Sequence, residues 1–101
     1  MGLHLRAPCM VPRVLSSSPS GGNTGSNVTL NLTGYHLTGS TKISLEGTND
    51  GTAFSVTNDG AVTCSMHVPN WISASYQIFN YNPRCSPGAY AICETLFAIT
   101  A

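Results

Sequence analysis

The chain has 101 residues, of which four are basic and four are acidic, so its formal net charge is zero. Affinity for nucleic acids depends on clustered cations that neutralise phosphates, and four cations scattered along the chain argue against a nucleic-acid-binding protein. No apolar run approaches the roughly 20 residues that a membrane-spanning helix needs, so the sequence predicts no membrane insertion either.

The low proportion of charged residues distinguishes this chain from most soluble domains. Only 8% of its residues are charged, against about 25% in an ordinary soluble domain. Ser, Thr, Asn and Gly occupy the polar positions instead. This composition favours a secreted, cell-surface or virion protein, and we expect an extracellular, cell-surface or virion localisation. The length is that of one domain.

The chain begins with a proline-containing segment that shows no alternation of apolar and polar residues. We expect residues 1–11 to form an extended arm and residues 12–101 to form the domain. Free termini are usually disordered unless something ties them down. The arm therefore either lies along a neighbouring molecule or folds back on its own domain. Leu3, Leu5 and Val11 are the arm residues predicted to contact a partner.

From residue 12 onward the chain alternates with a period of two, and no helical period is present. Val28, Leu30 and Leu32 alternate with Asn and Thr, which is typical of a strand that has one face in a core. Further strands are predicted around residues 43–45, 54–56, 62–68, 76–81 and 94–100.

Turn residues separate these predicted strands. The segments Asn-Asp-Gly at residues 49–51 and at residues 58–60 contain residues that tolerate positive φ, so both predict tight hairpin turns. Short strands with turn signals between them indicate a sandwich or a barrel. Two packed antiparallel sheets bury many single apolar faces most simply, so the sequence predicts an all-β antiparallel β-sandwich.

The order of several motifs carries a family resemblance. The motifs are Pro12-Arg13-Val14-Leu15-Ser16, Ser18-Pro19-Ser20-Gly21-Gly22, Gly25-Ser26-Asn27-Val28-Thr29-Leu30, Gly34-Tyr35-His36-Leu37, Val62-Thr63-Cys64-Ser65-Met66-His67-Val68-Pro69 and Ser75-Tyr76-Gln77-Ile78-Phe79. In this order they resemble the IPT/TIG domain, the immunoglobulin-like domain of plexins, some transcription factors and many bacterial surface proteins. The resemblance covers about residues 12–100. It implies an immunoglobulin-like antiparallel β-sandwich of about seven strands, which here would carry an extended N-terminal arm.

The four cysteines leave their pairing open. Cys85 and Cys93 flank a short Pro/Gly loop and either close a hairpin disulfide or remain free thiols. Cys64 lies on the apolar face of its strand, and we expect it to be buried. Receptor members of the resembled family often pair a cysteine at this position with one near residues 52–54, where this chain has none. No Cys-x-x-Cys pair is present, which argues against a zinc ribbon or a redox motif.

Catalytic and metal-binding motifs are missing from the sequence. His4, His36 and His67 do not stand at metal-ligand spacing. No serine lies in a Gly-x-Ser-x-Gly motif. We therefore expect no catalytic, cofactor or metal site, and a small enzyme is the least favoured class. Asn27 and Asn31 match the N-glycosylation motif, which occurs readily by chance in a chain rich in Asn and Thr.

These observations predict a non-catalytic structural or interaction protein. We expect an immunoglobulin-like module that docks on or decorates a larger protein assembly, at a cell surface or a virion exterior, with that assembly or a second copy as its partner. Trp71, Tyr81 and Tyr90 are predicted contacts, because Trp and Tyr are favoured interface anchors. The alternative is a carbohydrate-binding module, which an exposed Trp71 coplanar with Tyr81 or Tyr90 would favour and a buried Trp71 would weaken.

Overall fold

The structure is a computed structural model that describes residues 10–85 and 89–101, so Leu3 and Leu5 of the predicted arm lie outside the described residues. The division of the chain into arm and domain stays a prediction. The described residues form ten strands: β1 (Arg13–Ser18), β2 (Gly21–Asn23), β3 (Asn27–Tyr35), β4 (Lys42–Leu45), β5 (Asn49–Asp50), β6 (Thr52–Asn58), β7 (Ala61–His67), β8 (Ala74–Tyr81), β9 (Ile92–Cys93) and β10 (Leu96–Thr100). In this part of the chain, no helix is long and apolar enough to cross a membrane.

The strands form two sheets that pack face to face. The first sheet has the order β6-β7-β3-β1-β9, and the second has the order β2-β10-β8-β4-β5. Strands β6, β7, β3 and β1 opposite β10, β8 and β4 reproduce the arrangement of an immunoglobulin domain. The predicted all-β, immunoglobulin-like sandwich is therefore confirmed, and the short strands β2, β5 and β9 extend its edges.

The apolar residues of the alternating segments meet between the two sheets. Leu30 and Leu32 of β3 are fully buried, as are Met66 of β7, Ile43 of β4 and Phe97 of β10. They belong to one continuous cluster. Burial of each such side chain contributes roughly 1.5–3 kcal/mol, so the alternation predicted from the sequence supplies the main stabilisation of the sandwich.

One of the two predicted hairpin turns lies elsewhere in the chain. The turn between β4 and β5 occupies residues 46–48, with positive φ at Glu46 (55°) and Gly47 (73°). Asn49 and Asp50 instead form β5, whose Asn49 Nδ2 donates a hydrogen bond to the His67 carbonyl oxygen at 3.0 Å. Gly47 adopts the left-handed conformation that the turn requires, so the turn does not need Asn49. The Asn49 side chain instead forms a hydrogen bond between the two sheets.

The second predicted hairpin turn is confirmed. It connects β6 to β7, and the Asn58 side-chain oxygen accepts a hydrogen bond from the Gly60 N–H at 2.8 Å. An asparagine side chain that bonds its own backbone two residues later stabilises such a turn.

Candidate functional site

Strands β8 and β10 pair along only half of β8. The pairing runs from Ile99↔Ala74 to Leu96↔Gln77. Farther along β8, residues 89–91 take the place of β10, and the Ala91 N–H donates to the Asn80 carbonyl oxygen at 2.8 Å. Between these two stretches the chain leaves the second sheet, because β9 pairs with β1 of the first sheet. This excursion moves residues 92–93 from the edge of the second sheet to the edge of the first.

The excursion opens a cleft in the second sheet. Its volume is about 210 Å³, and it is lined by Gln77, Ile78, Phe79, Tyr90, Ala91, Cys93, Thr95 and Leu96. Most of this lining is apolar and none of it carries a charge. The cleft therefore suits an uncharged, apolar group.

Three aromatic residues form a cluster on the outer face of the second sheet, and two of them, Phe79 and Tyr90, line the cleft. Ile78 and Asn80 of β8 are buried, so the alternation of the strand directs Phe79 and Tyr81 outward. The Tyr90 ring lies 5.3 Å from the Phe79 ring and 5.5 Å from the Tyr81 ring, measured between centroids. We name Phe79, Tyr81 and Tyr90 the aromatic cluster. It unites two of the predicted contact residues, Tyr81 and Tyr90.

Trp71, the third predicted aromatic contact, lies apart from this cluster. It is half-buried, packs against the core and has its ring 4.9 Å from that of Tyr76. Tyr76 and Tyr81 lie on opposite faces of β8 and five residues apart, which corresponds to about 17 Å along a strand. The structure therefore does not form one surface from Trp71, Tyr81 and Tyr90, and a contact role for Trp71 stays a prediction.

The described end of the N-terminal segment lies beside the cleft. The Ile92 N–H donates to the Pro12 carbonyl oxygen at 2.9 Å, and Ile92 stands between Ala91 and Cys93 of the cleft wall. Met10 and Val11 are 54% and 53% exposed. Val11, a predicted contact residue, is thus accessible next to the cleft.

The sequence left open whether Cys85 and Cys93 form a disulfide or remain free thiols; the disulfide between them is wrong, and the free thiol is found for Cys93 alone of the two. Cys93 is a free cysteine, whereas Cys85 is disulfide-bonded. The physical reason is the excursion, which carries Cys93 into β9 and against β1. There, burial raises the pKa of the Cys93 thiol to about 11, although a hydrogen bond from the backbone of Asn80 to the sulfur opposes the shift. Cys64 is buried, as predicted, and burial raises the pKa of its thiol to about 11 as well.

A buried polar network holds the end of β8 that carries Tyr81. The Ser40 hydroxyl donates to Asn80 Oδ1 at 2.8 Å and accepts from Asn82 Nδ2 at 3.1 Å. Asn80 Nδ2 also donates to the Lys42 carbonyl oxygen at 3.2 Å. Satisfied buried networks fix one arrangement of the chain. Sequence reasoning missed this network, although Asn80 occupies an inward position of its strand and was the available signal.

The outer face of the first sheet differs chemically from the cleft. Its exposed residues on β3 include Asn27, Thr29, Asn31 and Thr33, which carry hydroxyl and amide groups without charge, and the strand ends at the exposed Tyr35. Both asparagines of the N-glycosylation motifs are therefore on an open surface. His67 of β7 joins this face, where its Nδ1 lies 3.0 Å from Asn27 Oδ1.

A small charged group lies at the end of the sandwich. The Asp59 carboxylate accepts a hydrogen bond from the Thr38 N–H at 3.1 Å and lies 3.5 Å from Arg84 Nη1 and 3.6 Å from His36 Nδ1. The Thr38 hydrogen bonds, followed by the Arg84 and His36 charges, lower the pKa of Asp59. Within residues 10–85 and 89–101, no three His, Cys, Asp or Glu side chains are grouped so as to hold a metal ion.

Comparisons with known proteins identified no relative of this chain. No family model, no curated protein and no solved structure matches the chain.

Proposed function

We propose that this protein is a non-catalytic interaction module that docks on or decorates a larger protein assembly through its aromatic cluster and the adjoining cleft. One observation carries the proposal. Tyr90 and Leu96, on the rim of an uncharged cleft, are 48% and 51% exposed. Exposed apolar residues that are contiguous mark interaction sites, and tyrosine is enriched among the residues that dominate binding energy.

The size and the setting of the cleft support a protein partner. Pockets for drug-sized ligands measure about 300–1,000 Å³, and this cleft measures about 210 Å³. A cleft of that size suits a single apolar side chain of a partner. The buried network of Ser40, Asn80 and Asn82 fixes the part of β8 next to the cleft residue Phe79, and a preorganised surface loses less entropy on binding.

Family and location are part of the same proposal. Membership in the IPT/TIG family is supported by the order of the sequence motifs and is compatible with the immunoglobulin-like sandwich. A cell-surface or virion location is supported by the low charge of the chain. Fold alone does not specify function, so the cleft is the main support for the interaction role.

The proposal is tested by capturing a protein partner with matched variants. The tagged full chain is incubated with an extract of the source, alongside Tyr90→Ser and the control Tyr35→Ser, which removes an exposed tyrosine from the other sheet. We expect wild type and Tyr35→Ser to retain one defined protein and Tyr90→Ser to lose it about tenfold, the effect of 1.4 kcal/mol. Equal capture by both variants would refute the proposal.

A carbohydrate-binding module is the second candidate. The half-exposed Tyr90 and the Gln77 amide, which line the same cleft, favour it, since aromatic faces and amides are groups that contact sugars. The placement of Trp71 away from the aromatic cluster weakens it. Binding to a glycan array that is lost in Tyr90→Ser, without capture of any protein, would favour this candidate over the first.

A further inference from the structure

We propose that the outer face of the first sheet carries N-linked glycans on Asn27 and Asn31 of β3. The inference is independent of the cleft, which lies in the second sheet. It assigns a covalent modification to a surface that the proposed docking role does not use.

Both N-glycosylation motifs lie on one strand and present their polar side chains to solvent. Residues 27–29 and 31–33 are the two places where the sequence has Asn-x-Ser/Thr with x other than Pro. The asparagine and the threonine of each motif are exposed. Exposure is not general for asparagine in this fold, because Asn80 and Asn82 are buried. The alternation of β3 therefore places both acceptor side chains on the surface.

The surface around Asn31 has room for a sugar. Its cross-strand neighbours are Ser18 on β1 and Thr63 on β7. On its own strand the next outward residues are Thr29 and Thr33. All four neighbours have small hydroxyl side chains without charge, so a sugar on Asn31 contacts polar groups and displaces no large side chain.

The hydrogen bonds of the two amides are compatible with glycosylation at nitrogen. Asn27 is held through its oxygen, because Oδ1 lies 3.0 Å from His67 Nδ1. Asn31 Nδ2 donates to the Ser18 carbonyl oxygen at 3.5 Å. An amide nitrogen carries two hydrogens and loses one of them on glycosylation, so the bond from Asn31 to Ser18 is retained in the product.

The modification is a group transfer from an oligosaccharide linked to a lipid diphosphate. A bond forms between the asparagine Nδ2 and the anomeric carbon of the first sugar, while the bond from that carbon to the diphosphate breaks. The diphosphate leaves with the electron pair of the broken bond, and one Nδ2 proton passes to a base of the transferase.

Glycans at these positions leave the aromatic cluster uncovered. The two sheets pack face to face, so their outer faces point in opposite directions. Asn27 and Asn31 are four residues apart, which is about 13 Å along a strand, and two glycans together cover the middle of the first sheet. They add hydrated surface to a chain in which only 8% of residues are charged. A protein partner then docks from the side of the second sheet.

The first test examines the chain isolated from its source. Trypsin cuts after Arg13 and Lys42, so one peptide of residues 14–42 contains both motifs. An N-glycosidase in heavy-oxygen water converts each glycosylated asparagine to aspartate that carries the heavy isotope, and fragmentation of the peptide locates the label. We expect the label at Asn27 and Asn31 and not at Asn23, which lies in the same peptide outside a motif. Absence of the label from both motifs overturns the inference, and a label at one alone overturns it for the other.

The second test links the modification to the hydroxyl of the motif. The full chain is produced behind a cleavable leader in the secretory pathway of a eukaryotic cell. Serine preserves the motif and alanine removes it, so Thr33→Ser should keep the glycan on Asn31 and Thr33→Ala should lose it although Asn31 is present. The control Asn23→Gln should keep both glycans. Material retained in the cells is analysed together with secreted material, so the result does not depend on how well a variant folds. A glycan that persists on Asn31 in Thr33→Ala, or a wild-type chain without glycans, overturns the inference.

This inference and the docking role fail in different ways. If Asn27 and Asn31 are unmodified while Tyr90→Ser still abolishes capture of a protein, glycosylation is wrong and the docking role stands. If both asparagines carry glycans and Tyr90→Ser captures as well as wild type, glycosylation stands and docking through the cleft is wrong. Enzymatic removal of the glycans should leave capture unchanged, and loss of capture would overturn the placement of the partner on the second sheet alone.

Discussion

The rings of Tyr81 and Tyr90 pack edge to face, with an interplanar angle of 67° and centroids 5.5 Å apart. Their backbones form an antiparallel bridge, and between Ala91 and Leu96 the chain then departs from the second sheet. Tyr90 of this pair lines the cleft, and Tyr81 supports it from the neighbouring position on β8. A local side-chain contact and a candidate binding surface depend on the same two residues.

The Tyr81–Tyr90 contact should be measurable as a coupling energy. Edge-to-face aromatic pairs contribute about 0.5–1.5 kcal/mol beyond their burial. A double-mutant cycle with Tyr81→Leu and Tyr90→Leu, followed by urea unfolding, should return a coupling in that range. The combination of Tyr90→Leu with Val56→Ala, on β6 at the far edge of the other sheet, should be additive within about 0.5 kcal/mol. A coupling near zero for the tyrosine pair would contradict the prediction.

Gly34 should tolerate no side chain. It pairs with Val14 beside the irregularity in β1, and a Cβ at this position would overlap the carbonyl oxygen of Arg13. We expect Gly34→Ala to lower the free energy of unfolding by about 1–3 kcal/mol or more.

Gly25 provides the contrast to Gly34. It has a φ of 81° with open space around it, and asparagine tolerates that conformation. Gly25→Asn should therefore change stability much less than Gly34→Asn in the same urea titration. Equal losses would show that steric overlap does not explain the glycine at position 34.

The buried thiols should react slowly at neutral pH. Burial raises the pKa of Cys93 from 9.0 to about 11, and the thiolate is the reactive form. At pH 8, alkylation of Cys93 in the folded chain should be roughly 100-fold slower than in the urea-unfolded chain, because the thiolate fraction falls tenfold per unit. Mass spectrometry of iodoacetamide-treated samples measures this, and equal rates in both states would contradict it.

The same shift has a consequence for stability at high pH. The pKa values of Cys64 and Cys93 are higher in the folded than in the unfolded state. The contribution of these protonated thiols to the free energy of unfolding is therefore fully present below pH 9 and is lost as the pH rises toward 11. The variant Cys93→Ala should show a smaller loss of stability across this interval.

Asp59 should stabilise the fold at neutral pH and lose that effect in acid. Hydrogen bonds from Thr38, followed by the charges of Arg84 and His36, lower its pKa. A carboxyl with a lowered pKa contributes stability above its unfolded pKa of about 3.9, and this contribution falls as the pH drops below that value. Asp59→Asn should therefore be less stable at pH 7 and show a flatter acid dependence.

Thr38→Val separates the two hydrogen bonds that reach Asp59. It keeps the Thr38 N–H, which bonds Asp59 Oδ1, and removes the hydroxyl. Its acid dependence, followed by circular dichroism from pH 7 to pH 2, should lie between those of wild type and Asp59→Asn. Curves for Asp59→Asn and wild type that stay parallel would contradict the assignment.

The misplaced turn and the wrong disulfide have one cause in common. In both cases a short motif was compatible with a local structure: a hairpin turn at residues 49–51 and a disulfide between Cys85 and Cys93. In both cases the structure instead forms a hydrogen bond or a strand pair with a segment distant in sequence. Asn49 bonds the His67 carbonyl across the sandwich, and β9 pairs with β1. Local turn chemistry contains no information about such distant partners.

The sequence by itself determined the all-β sandwich, because a period of two along several segments allows burial of their apolar faces only between sheets. It also determined the burial of Cys64 and the turn at residues 58–60, which depend on neighbours along the chain. Only the tertiary structure decided that Tyr81 and Tyr90 adjoin a cleft while Trp71 packs elsewhere, and that Cys93 is free. These outcomes depend on where the chain between Ala91 and Leu96 finds its hydrogen-bond partners, and those partners lie at the opposite end of the sequence, in β1.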